Sequence, residues 1–139
     1  MLFFQLRGVA DAAVRAKDMA LIDRLWRDWS PGYSPSAAEM AAVKAGMRDR
    51  VREVLGYYRA LVGPRVSAEA GRKMLARITV PVLRLHGVED GCIGAEVGED
   101  EARLYTSGFE RVVIERAGHF LQRERPDEVN RRLVSFFAQ

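Results

Sequence analysis

Two short apolar runs, VLRLH at 82–86 and RVVIE at 111–115, constrain this chain more than anything else in it. Between them lie a turn-rich stretch, GVEDGCIG, and a segment of helical character, AEVGEDEARLYTS. An apolar strand, a crossover of this length and a second apolar strand make a βαβ unit, because parallel strands need a long connection. A turn, RAGHF at 116–120, follows the second run, and a final helix is predicted from Pro126, with Asp127 and Glu128 in its first turn.

The residues before Thr79 read differently. Within 8–29, Val9, Ala13, Ala16, Leu21, Leu25, Trp26 and Trp29 recur at helical spacing, and Asp18 is placed to cap a second segment. The loop SPGYSP (30–35) separates this region from Ser36 and Glu39, a serine and glutamate at capping-box spacing, so a helix is expected from Ala37. That helix is predicted to run toward the stop signals Gly63 and Pro64, with Gly46 as a possible break, and a short helix to occupy about 68–77. The expected fold class is therefore α/β and mostly helical: a helical N-terminal part over 1–77, then a βαβα unit with two parallel strands over 78–139.

Composition narrows the functions open to such a fold. At 139 residues, 48% hydrophobic and 29% charged, the chain has the make-up of a globular domain. The net charge of +3 does not imply nucleic acid, because the arginines alternate with acids in RDRVRE (48–53) and RERPDE (123–128), a pattern expected of solvated helix faces. One cysteine, Cys92, excludes an internal disulfide framework and a cysteine zinc site, and two histidines, His86 and His119, lack the partners for a metal. No apolar run approaches the ~20 residues of a membrane span and MLFFQLRG lacks the marks of a signal peptide, so no membrane association is expected and the cytoplasm is the default location. There is no internal repeat and no low-complexity segment.

Chemistry gathers at the ends of the two runs. Asp90 lies in the loop after the first and His119 just past the second, so parallel pairing brings both to the carboxyl edge of the sheet, where ligands and catalytic groups collect in open α/β folds. A carboxylate that accepts from one ring nitrogen of a histidine fixes its tautomer and leaves the other nitrogen free to take a proton. The plainer alternative makes Asp90 a turn residue before Gly91 and His119 part of a tight loop after Gly118.

With these residues in place, the sequence resembles the C-terminal portion of α/β-hydrolases with a helical cap, in particular the epoxide hydrolase-like members. The matching pieces are FFQLRGVADAAV, LIDRLWRDWSPGY, GYYRAL, ITVPVLRLHGVEDGCIG and GFERVVIERAGHFLQRERPDEVNRRLVSFF. The resemblance implies that residues 1–77 are cap-like, that Asp90 of GVED is the catalytic acid and that His119 of GHF is the base. It also implies that Tyr58, placed before Arg59 in YYR, is one of the two cap tyrosines that hold an epoxide oxygen; helix packing for Tyr57 and Tyr58 is the alternative. No cofactor is implied.

The same resemblance marks what is missing. The family's nucleophile sits on a sharp strand-to-helix turn, G-x-S-x-G or its aspartate equivalent, and no such motif occurs in these residues. The expectation is that the partner of His119 would lie N-terminal to Met1, leaving a hydrolase-derived portion, excised or redesigned, that is inactive alone. Arg7 and Ala95 stand where the family often has proline.

Arg84 interrupts the first strand, and alternation puts Val82, Arg84 and His86 on one face, which looks prepared for water. Two strands with open edges invite pairing, so the expected partner is a second copy of the chain or a complementary N-terminal hydrolase half. Two other readings stay open: a non-catalytic scaffold or binding module with Trp26, Trp29, Tyr57 and Tyr58 lining an apolar groove for a small ligand, and a weak enzyme using Cys92 or water.

Overall fold

The computed structural model describes residues 2–60, 67–74 and 76–138. The residues form two compact units, one of 1–25 and 35–75, the other of 26–34 and 76–139. Residues 26–34, expected within the N-terminal part as a helix end and the loop after it, thus group with the C-terminal strands.

The first unit is helical. After a 3-10 turn at Leu2–Gln5 comes α1 (Val9–Trp29), whose last residues pass into the second unit. α1 is two helices across a kink at Ala16–Met19, where Lys17, Asp18 and Met19 all adopt positive φ. Asp18 therefore does not cap a helix by an extended backbone; its carboxylate meets Arg48 at 2.7 Å and Lys44 at 3.8 Å. The kink resets the helical phase, so the buried positions are Ala10 and Val14 before it, Met19 at its end and Ile22 after it, and Val9 is exposed.

The helix expected from Ala37 begins there as α2 (Ala37–Arg48), and the Ser36 hydroxyl accepts the Glu39 N–H at 3.2 Å as the capping box requires. The break before α3 (Val51–Ala60) falls at Asp49 and Arg50 rather than at Gly46. Val51 and Leu55 of α3 are buried. Arg59 holds the N-terminal turn, donating to the Phe4 carbonyl at 2.8 Å and to Asp11 at 2.5 Å. α4 spans Ala68–Met74, and the stop expected at Gly63 and Pro64 lies outside the described residues.

The second unit contains the strands. β1 (Val82–Gly87) and β2 (Phe109–Ile114) pair in parallel, with Val82 opposite Phe109 and Gly87 opposite Ile114. The crossover between them is not the α-helix that 95–107 suggests. It is a turn-rich strand-to-strand path with one 3-10 segment at Glu99–Leu104, because Gly98 enters it at φ 83 and breaks an α-helical run.

This crossover also changes the environment of Arg84. Instead of facing water, the guanidinium pairs with Glu101, donates to the Val97 carbonyl at 2.7 Å and lies 3.2 Å from Nδ1 of His86, itself buried. Beyond β2, a short α5 (Leu121–Glu124) precedes α6 (Pro126–Phe137), which starts at Pro126 as its proline and two acids predict. Ile114, Ala117 and Val129 form the core of the unit, with Leu85, Val112 and Leu121 packed on it.

Candidate active site

The parallel register sets the site. Since Gly87 and Ile114 are opposite one another, the chain leaves both strands at the same edge, and the two loops run side by side. Val88 N–H donates to the Ile114 carbonyl at 3.0 Å and Glu89 N–H to the Ala117 carbonyl at 2.8 Å. Approach this close requires glycine at 87: a Cβ there would run into the Ala117 and Gly118 carbonyls.

Asp90 sits on the first loop with only 6% of its side chain exposed. Its Oδ1 accepts the Cys92 N–H at 2.8 Å and the Ile93 N–H at 3.0 Å, the Asx-turn pattern that fixes the carboxylate in space. The two carboxylate oxygens lie 3.2 and 3.0 Å from Nδ1 of His119 on the second loop. Burial by itself would raise the Asp90 carboxyl, but the Ile93 N–H, His119 and the Cys92 N–H outweigh it and hold the group below its ordinary value of 3.8. An ionised Asp90 puts the proton on Nδ1 of His119 and leaves Nε2 as an acceptor.

The flanking groups are ordered too. The Trp29 carbonyl accepts from Gly91 N–H at 3.1 Å and from His119 N–H at 3.0 Å, so one oxygen ties together the loops that carry acid and base. The rings of Trp29 and Phe120 meet the His119 imidazole edge-on, at centroid distances of 5.0 and 5.2 Å. Trp26 stacks on Phe120 at 4.0 Å. His86 donates from Nε2 to the Ile93 carbonyl at 2.9 Å and accepts at Nδ1 from Arg84; with Nε2 also 3.6 Å from Oδ2 of Asp90, it braces the turn that carries the acid.

Of the residues singled out from sequence, the structure brings Asp90 and His119 together. Tyr58 belongs to the first unit, where its ring lies 5.0 Å from Phe4 and 5.6 Å from Tyr57. Tyr57 is 67% exposed. Cys92 is half-buried beside Asp90, and burial together with that carboxylate pushes its thiol up, away from the thiolate a nucleophile needs. Among the described residues, no group of three or more His, Cys, Asp or Glu side chains is placed to hold a metal ion.

Sequence reasoning passed over Ser30 and Glu124. Ser30, in a proline-flanked loop, is fully buried. Glu124 is not on a solvated face, as the charge alternation of RERPDE suggests, but accepts hydrogen bonds from Gly118 and Ser30. The spacing of Glu124, five residues after His119 and two before Pro126, is the signal that was available.

The fold matches the crystal structure of a candidate epoxide hydrolase from Klebsiella pneumoniae with a TM-score of 0.78 and 20% identity, over 99% of this chain and 48% of that one. The fold is that of a partial α/β-hydrolase. In sequence, 64 residues are 32% identical to carboxylesterase YbfK of Bacillus subtilis, covering 46% of this chain and 22% of the esterase. No protein-family profile matches. The chain thus spans about half the length of its structural relative. Among its described residues, no helix is long and apolar enough to cross a membrane.

Proposed function

We propose that this chain is the acid–base portion of an α/β-hydrolase site for epoxides or esters, with Asp90 orienting His119 and the nucleophile and oxyanion donors supplied from outside these residues. The observation that carries the reading is the Asp90 carboxylate on Nδ1 of His119, 3.0 Å away, at the ends of adjacent parallel strands. With Nδ1 so held, Nε2 takes a proton from an attacking hydroxyl or water while the carboxylate stabilises the imidazolium that forms. Likeness to a candidate epoxide hydrolase and to a carboxylesterase supports this reaction class.

The test is hydrolysis of an activated aryl ester and a small aryl epoxide by the chain, alone and mixed with the N-terminal half of a related hydrolase. Alone, the wild type and His119→Ala are expected to give the same background rate. The mixture is expected to gain turnover that His119→Ala abolishes. A His119-dependent rate in the chain alone would replace this reading with that of a self-sufficient enzyme; a folded complex without turnover would refute the hydrolase role. The assignment of Tyr58 rests on the YYR resemblance, and Tyr58→Phe is expected to slow epoxide but not ester turnover.

Self-association is the second reading. It is supported by a sheet of two strands and by an α6 surface that leaves Val134 70% and Phe137 80% exposed. Sedimentation at micromolar concentration tests it: a dimer that survives His119→Ala supports a scaffold, and a strict monomer removes it.

A further inference from the structure

Three consecutive backbone N–H groups centred on His119 each have an acceptor from a different place. Gly118 N–H donates to both carboxylate oxygens of Glu124, at 3.0 and 2.9 Å. His119 N–H donates to the Trp29 carbonyl at 3.0 Å. Phe120 N–H donates to the Ser30 hydroxyl at 3.1 Å, and that hydroxyl gives its own proton to Glu124 Oε1 at 2.8 Å. Glu124 therefore holds the residue before His119 directly and the residue after it through Ser30.

Geometry leaves this arrangement little slack. Ser30 has no exposed surface, and a Cβ on Gly118 would lie 2.6 Å from Ser30 Cα and 2.8 Å from its Oγ, so the 118–120 turn is in contact with the 29–30 segment. A carboxylate is a stronger acceptor for backbone N–H groups than a neutral oxygen, and with one hydroxyl as relay it satisfies donors that would otherwise be half-buried and unpaired. The imidazole is carried by this backbone, so where the turn is held bears directly on its distance to Asp90.

We infer that Glu124, with Ser30 as its relay, is a positioning residue that fixes the ring orientation and Nδ1–H tautomer of His119. The role of His119 as a base rests on the function proposed above; the positioning of its ring does not.

The test uses the full chain labelled with nitrogen-15 histidine, as wild type, Glu124→Gln, Ser30→Ala and, as a control on α6, Glu128→Gln. Ring nitrogen shifts read the tautomer of His119 and, separately, of His86. In the wild type at pH 8 the His119 proton is expected on Nδ1. In Glu124→Gln and Ser30→Ala the two His119 nitrogens are expected to move toward equal tautomer populations, with His86 unmoved and Glu128→Gln indistinguishable from wild type. Unchanged His119 shifts in both variants, or equal movement at His86, would overturn the inference.

If both variants fail to fold, amide exchange of the wild type decides: Gly118, His119 and Phe120 are expected to exchange at least about 100-fold slower than in an unstructured peptide. Free exchange at Gly118 would refute the clamp. Neither readout needs turnover, so absence of hydrolase activity would count against the proposed function alone.

Discussion

Nδ1 of His119 faces both oxygens of the Asp90 carboxylate, at 3.0 and 3.2 Å, across 29 positions of sequence. The contact exists because β1 and β2 end level with each other and because the carbonyl of Trp29 holds both loops. Asp90 has almost no solvent contact, so its charge is balanced by the Cys92 and Ile93 N–H groups and by His119.

Acid should undo this balance in a defined direction. A carboxyl held below its ordinary value of 3.8 in the folded state contributes stability that is present above that value and is lost as pH falls through the lower, folded one. Thermal melts from pH 7 to pH 2 are expected to show a drop below about pH 4 in the wild type that is smaller in Asp90→Asn. Identical pH profiles for the two proteins would contradict it.

The loop contact makes glycine at 118 a steric requirement. Gly118→Ala places a methyl group 2.6 Å from Ser30 Cα, and its cost is expected at about 1–3 kcal/mol, the range for overpacking a site that must shift to accept it. Urea unfolding measures this, and a variant as stable as the wild type would show that the turn yields freely.

Cys92 is expected to react slowly. Burial and the neighbouring Asp90 charge both raise its thiol, so alkylation by iodoacetamide at pH 8 should lag behind that of a free cysteine and speed up in Asp90→Asn. Any esterase rate that Cys92→Ser removes would return this residue to the list of nucleophiles.

In the helical unit, Ser36→Ala removes the acceptor of the Glu39 N–H and is expected to cost about 1 kcal/mol, as for other N-caps. Comparing Ser36→Ala with Ser36→Asn, which keeps an acceptor, separates the cap from any other effect; equal losses would deny the hydrogen bond its role.

Much of the architecture was legible in the chain because it rests on local rules. Alternation and apolar runs placed β1 and β2 within a residue or two, Ser36 started α2, and Pro126 started α6. Asp90 and His119 were legible as a pair because parallel strands of known order put their following loops at one edge. The helical face of 9–29 was not, since three residues with positive φ shift its phase. Nor was the crossover, where Gly98 and the ties from Arg84 and Arg111 to its backbone override helical propensity.

What the sequence by itself determined is therefore the two strands and their parallel direction, the starts of α2 and α6, and the identity of an acid and a histidine beyond the strand ends. Tertiary structure alone decided that a buried serine from residues 26–34 and a glutamate from an apparently solvated charge run would hold the turn around that histidine. The reason is physical: periodicity and capping act over a few residues, whereas satisfying the N–H groups of His119 and Phe120 depends on acceptors 90 positions away, whose nearness no local pattern encodes.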